Sequence, residues 1–178
     1  MDVTSWWFEV EDPEECGEEP WDFGEAELAF LAALRGRAAD WRVPWAPSQV
    51  GRPEDESSFL VHISLVDEAR RIVLGEWAVH FHGTHVRAGR VRDQLFHLDE
   101  SPERGFFRAS GTVAELAERC ADWFESLLSR PVVRVDWPSE GGRHATTWEF
   151  ADTGEVLTTS GPVPAVGSAP VRRLAVRP

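Results

Sequence analysis

Lysine, tyrosine and asparagine are absent from the 178 residues, and all 18 basic residues are arginine. Without lysine there is no P-loop lysine, no Schiff base and no lysine general base. Without tyrosine there is no phenolic acid, and without asparagine no N-glycosylation acceptor. Arginine in place of lysine, with abundant alanine, glycine, proline and tryptophan, is what a GC-rich coding sequence produces. Cysteine is scarce: only Cys16 and Cys120 occur. Cys16 stands among glutamates, which raise a thiol's pKa, and two isolated cysteines make no disulfide framework. No apolar run approaches the ~18 residues of a membrane span, and Met1-Asp2-Val3-Thr4 lacks the basic stretch of a secretory leader. These absences predict a reduced, cytoplasmic protein. Signatures of common chemistry are missing as well. There is no Gly-x-Ser-x-Gly, no His-Glu-x-x-His and no glycine-rich phosphate loop.

What is present is unevenly placed charge. The formal net charge is −13, and residues 1–27 carry 11 acidic residues and no basic one. The rest holds 20 acidic against 18 basic residues, so the body is close to neutral. Such asymmetry predicts an interaction arm, or an acidic start and a basic end, with Arg172, Arg173 and Arg177, that attract each other. Duplex nucleic acid is not expected as a partner, because neutralising phosphates takes a basic face.

The periodicity predicts an α+β fold: an antiparallel sheet of about five to seven strands, with two helices packed on one face. An acidic arm over 1–24 precedes a single domain over 25–159. A Pro/Gly-rich tail with a basic end follows over 160–178. The first helix is expected over 25–41, on a stripe of Leu28, Leu31, Leu34, Ala38 and Trp41 with Phe30 beside it. The second is expected over 112–129, where Thr112 and Glu115 make a capping box and Cys120 lies on the apolar face. Residues 48–57 read as a polar loop. Strands are expected over 58–66, 72–82, 84–92, 93–99 and 106–109. A hairpin register is expected to set His62 across from Glu76, within a slip of a residue or two. Residues 132–137 and 144–150 predict a second hairpin in which Val133, Val135 and Trp137 meet Trp148, Thr146 and His144. A last strand is expected over 155–159.

Two residue sets suggest function. His80-x-His82-x-x-His85 puts two imidazoles on one face of a strand, with a third beyond Gly83 and Glu76 on the same face. That donor set suits zinc or another divalent metal. Gly75, His80 and His82 loosely resemble the first cupin motif. The glutamate that motif carries is missing between Thr84 and Ala88, so no cupin assignment follows. The second set is tryptophan, nine in number. Trp41, Trp77, Trp123, Trp137 and Trp148 fall at core-compatible positions. Trp6, Trp7, Trp21 and Trp45 lie outside the regular elements. They are the candidate partner-binding residues, since tryptophan and arginine dominate binding hot spots; the alternative is that the arm's aromatics dock on the chain's own body and cover its sheet.

Ala121-Asp122-Trp123-Phe124-Glu125-Ser126-Leu127-Leu128-Ser129-Arg130-Pro131-Val132-Val133-Arg134, followed by Glu149-Phe150-Ala151-Asp152-Thr153-Gly154-Glu155, resembles small uncharacterised proteins of actinobacteria. The resemblance implies a cytosolic bacterial protein and carries no activity. The reading these features favour is a non-enzymatic interaction module with a basic protein partner, in one concrete form an immunity protein that neutralises a secreted nuclease toxin. The alternative is a metal-binding protein or metal-dependent enzyme built on His80, His82, His85 and Glu76. A small-molecule pocket between helices and sheet is a third reading, on which the sequence is silent.

Overall fold

The computed structural model describes residues 7–10, 21–53, 58–138, 145–162 and 167–178. It is an α+β fold of two helices and mostly sheet, with the strands divided between a seven-stranded and a four-stranded sheet. The larger sheet takes β1 (Glu9–Val10), β2 (Ser48–Gly51), β3 (Phe59–Asp67), β4 (Ile72–Phe81), β5 (His85–Val91), β6 (Leu98–Asp99) and β7 (Phe107–Ser110). β1 pairs parallel to β2, and the next four pairings are antiparallel. The outer edge of β5 is shared, by β6 at Arg90–Val91 and by β7 at His85–Ala88. The smaller sheet takes β8 (Val132–Asp136), β9 (Thr146–Phe150), β10 (Val156–Ser160) and β11 (Arg172–Arg177), in the order β10-β9-β8-β11.

Helix α1 (Glu25–Ala38) starts at Gly24, whose amide is taken by the Glu27 carboxylate at 2.8 Å. It buries Phe30, Leu31, Leu34 and Ala38, while Leu28 is exposed. The buried stripe is therefore rotated from the expected one, because an alanine-rich helix offers several nearly equivalent apolar faces. The helix stops before Trp41, which is buried all the same. Helix α2 (Val113–Leu128) carries the capping box foreseen at Thr112 and Glu115. Its buried face of Leu116, Ala117, Cys120, Ala121, Phe124, Leu127 and Leu128 follows the 3.6-residue period. Burial pushes the Cys120 thiol up to about 12, so it is a packing group and no nucleophile.

Both helices lie on one face of the larger sheet. Phe30 stacks on Phe81 at 4.4 Å and meets Phe59 edge-on, and Trp123 meets Phe107 edge-on. The smaller sheet closes the far end of that same face. Trp77 touches Phe150, the indole N–H of Trp148 donates to Asp67 Oδ2 at 2.9 Å, and Arg90 donates to the Leu157 carbonyl at 2.5 Å. One continuous core results, from Trp7 to Leu157.

The opposite face of the larger sheet is roofed by residues 92–106. Phe96 and Phe106 pack on a small second cluster of Leu60, Ala78 and Leu98. Gly89 lets the roof lie close: a Cβ there would stand 3.0 Å from the Phe106 ring and 3.2 Å from the Asp99 carbonyl.

Several expectations are corrected. Residues 48–51, expected in a loop, form β2, because pairing with β3 outweighs their turn-like composition. Only Leu98–Asp99 of the expected strand 93–99 is strand, since Phe96 turns the chain at φ +60°. The His62 register stands: His62 pairs with Ala78 and Glu76 with Ser64, a slip of two residues that lies within the expected margin. In the β8–β9 hairpin Val133 meets Glu149 and Arg134 meets Trp148, a slip of one residue that exchanges the two faces. Its turn, with His144, lies outside the described residues. Trp7 and Phe8, in the segment read as an arm, are in the main core, as docking of its aromatics on the body requires, whereas β11, in the segment read as a tail, pairs along β8. Among the described residues no helix is long and apolar enough to cross a membrane.

Candidate functional site

The histidines come from the β4–β5 hairpin, where strand alternation sends residues 76, 78, 80 and 82 to the roofed face. His80 is buried at 1 % exposure, with both ring nitrogens engaged. Nε2 donates to the Phe96 carbonyl at 2.9 Å, so in the neutral ring Nδ1 accepts from the Ser58 hydroxyl at 2.8 Å. Neither nitrogen is left with a lone pair for a metal. His82 and His85 stack with centroids 4.6 Å apart and planes at 9°. Lone pairs lie in the ring plane, so theirs run side by side and do not converge on one ion. Glu76 accepts from Ser64 at 3.1 Å, four strand residues and roughly 13 Å of backbone away from His80. Among the described residues no three of His, Cys, Asp and Glu are grouped to hold a metal.

His62 is a fourth histidine on this face, and the sequence does not mark it as unusual. It is 7 % exposed, its Nδ1 has no hydrogen-bond partner, and its ring meets Phe96 edge-on at 4.9 Å. Burial lowers its pKa, and the charge of Glu76 opposes this only in part. The unfolded chain therefore takes up the proton more readily than the folded one. Stability is fully present above pH 6.5 and falls as pH drops below it, by up to about 1.4 kcal/mol per unit, until the folded-state pKa is passed. Urea denaturation of wild type and His62→Gln at pH 7.5 and about pH 5.5 checks this. The expected result is a smaller acid loss in the variant, and equal losses would refute it.

The tryptophans separate by environment. Trp7 is buried, edge-on to Trp41 at 4.9 Å, and so is a core residue. Trp21 is half-buried and touches Phe23, which packs edge-on against Phe59. Trp45 is 53 % exposed. Trp6 lies outside the described residues.

Two clefts flank the junction of the sheets. One, of about 550 Å³, is walled by Trp77, Trp123 and Phe150. Arg130 lies over the Phe150 ring at 3.5 Å and holds Asp152 through two hydrogen bonds of 2.9 Å. The other, of about 530 Å³, lies between the β3–β4 turn, β8, β11 and Trp45. Its walls carry opposite charge, Asp67 and Glu68 against Arg134 and Arg177. The Asp67 carboxylate is occupied by Trp148 and by the Arg70 amide, and Arg134 lies 3.2 Å from Asp136. Arg177 is a different case. Its side chain donates to the Pro44 carbonyl, burial lowers its pKa, and Glu68 is the one acid acting against that shift.

Sequence reasoning has no means of singling out Arg177, which stands in a run resembling any basic chain end. The apolar run Leu174-Ala175-Val176 between arginines is the one signal, and it marks a strand, not a site. Comparison with family models, with curated proteins and with solved structures gives no match.

Proposed function

We propose that this chain is a non-enzymatic interaction module for a basic protein partner. The carrying observation joins sequence to structure. Residues 11–20 hold six acids, Glu11, Asp12, Glu14, Glu15, Glu18 and Glu19, and the described segments on both sides are fixed to the body. On one side Phe8 donates its amide to Ser48 Oγ at 2.7 Å and receives Arg35 on its carbonyl at 2.6 Å. On the other, Phe23 packs on Phe59, and Arg52 holds Glu27 at 2.6 Å and the Asp22 carbonyl at 3.2 Å. A dense negative run in the sequence steers a cationic partner electrostatically and speeds encounter. A nuclease toxin is one such partner: its basic active face binds phosphate, which the carboxylates would imitate.

The test separates charge from fold. Glu→Gln at positions 11, 14, 15, 18 and 19 with Asp12→Asn leaves Trp7 and Phe8 in place. Interferometry against a panel of cationic proteins, nucleases among them, compares this variant with wild type at low and moderate salt. Expected is a wild-type complex whose association slows steeply with salt and whose affinity falls at least about tenfold in the neutralised variant. Equal affinity in both chains, or no complex with any cationic protein, overturns the reading.

A further inference from the structure

Among the described residues Arg177 is a buried charge with no contacting acid, and Glu68 acts on it only at longer range. Arg177 is 6 % exposed, and among the described residues it makes no ion pair. Its Nε is buried with no hydrogen-bond partner. A neutral backbone carbonyl, that of Pro44, is the acceptor it has. Taking a guanidinium out of water is costly unless an anion compensates it, and removing water strengthens whatever anion then binds. Arg177 lines the 530 Å³ cleft, a volume in the range of small-molecule sites. Arg134 lines it too, and so does Trp45. Among the described residues Trp45 is the largest of the exposed apolar side chains, and it belongs to no strand or helix.

We infer that this cleft binds a small organic anion, a carboxylate or a phosphate monoester attached to a planar ring. The anion pairs with the buried Arg177 guanidinium, and the ring packs on Trp45. Planar guanidinium forks match both carboxylate and phosphate, and an exposed indole offers a flat apolar face. Glu68, on the opposing wall, works against the anion and limits its affinity. This site is independent of the acidic run and stands or falls apart from the partner reading.

The test uses the full chain with four probes: benzoate, phenyl phosphate, inorganic phosphate and uncharged benzyl alcohol. The readouts are the side-chain resonances of Trp45 Nε1–H and Arg177 Nε–H, followed by nuclear magnetic resonance during titration. Benzoate or phenyl phosphate is expected to shift both resonances in a saturable way, and which of the two binds tighter tells carboxylate from phosphate. Inorganic phosphate is expected to bind at least about tenfold more weakly for want of the ring, and benzyl alcohol not at all. Arg177→Gln should weaken binding at least about tenfold, as loss of a charge-assisted contact does. Trp45→Ala, at an exposed position that leaves folding untouched, should weaken it severalfold. Glu68→Gln should strengthen it, a direction that no unfolding artefact can produce. Saturation by neither anion up to about 10 mM, a millimolar limit below which no specific site would escape notice, overturns the inference. So does binding that is unchanged in Trp45→Ala and Glu68→Gln.

Discussion

Replacing Phe8 with alanine is expected to destabilise the fold by about 3–5 kcal/mol, the range for losing a fully buried aromatic side chain. Phe8 is at 0 % exposure. Its ring meets Trp41 at 5.9 Å and Phe124 at 5.5 Å, joining the start of the chain to helix α2. The surrounding groups also hold Phe8 at φ +61°, a region that side-chain-bearing residues seldom adopt. The consequence reaches the partner-binding question. Cutting away residues 1–24 removes Trp7 and Phe8 together with the acids, so lost binding after truncation would report a damaged core. The charge-neutralised variant avoids that confusion. Urea denaturation of Phe8→Ala and of the neutralised chain separates the two effects. A loss under about 1 kcal/mol for Phe8→Ala would show that this residue is not part of the core.

The second large effect is expected at Trp148. It is fully buried, and its indole N–H donates to Oδ2 of Asp67, a carboxylate at 3 % exposure whose other oxygen takes the Arg70 amide. Trp148→Ala opens a cavity and also strips the buried carboxylate of a donor. Its cost should reach or exceed about 5 kcal/mol, from the cavity and the unpaired acceptor together. Trp148→Phe keeps much of the volume and leaves Asp67 Oδ2 without its donor, at about 1–3 kcal/mol. The double change Trp148→Phe with Asp67→Ala then tests the link. If the pair is coupled as the geometry indicates, the double variant loses clearly less than the sum of its singles, and strict additivity would refute the coupling.

Legibility in the sequence followed local encoding. Helix α2 is written by a capping box and an unbroken apolar stripe, both contained within its own residues. Helix α1 is blurred by its alanines, which let the apolar face rotate past Leu28. Strand β2 hides among Pro47, Gly51, Arg52 and Pro53, and becomes a strand only because β3 offers it backbone partners. The hairpin slips arise because alternation fixes which residues share a face, whereas the turn decides which residue stands opposite which.

The site followed the same division. Trp45 stands out from sequence because it lies between regular elements, and it does line a cleft. Trp7, in a similar setting, is core, since nothing in a linear string says which side of it will be covered. The histidine spacing signals shared direction along a strand. It cannot show that the Phe96 carbonyl and the Ser58 hydroxyl take up His80. The isolation of Arg177 is a property of three-dimensional surroundings, and no motif encodes it.

The bulge in β10 has a bearing on behaviour in a crowded solution. The register with β9 shifts between Val156 and Thr158, and the carbonyl of the intervening Leu157 is taken by Arg90. At the other margin of the smaller sheet, β11 carries Arg172 and Arg173. A strand from another molecule approaching either margin finds an acceptor already occupied or a row of guanidinium charge. These are standard ways of discouraging edge-to-edge aggregation, usually credited to lysine. In a chain with no lysine, arginine fills that role, and the guard against self-association is part of the same network that locks the two sheets together.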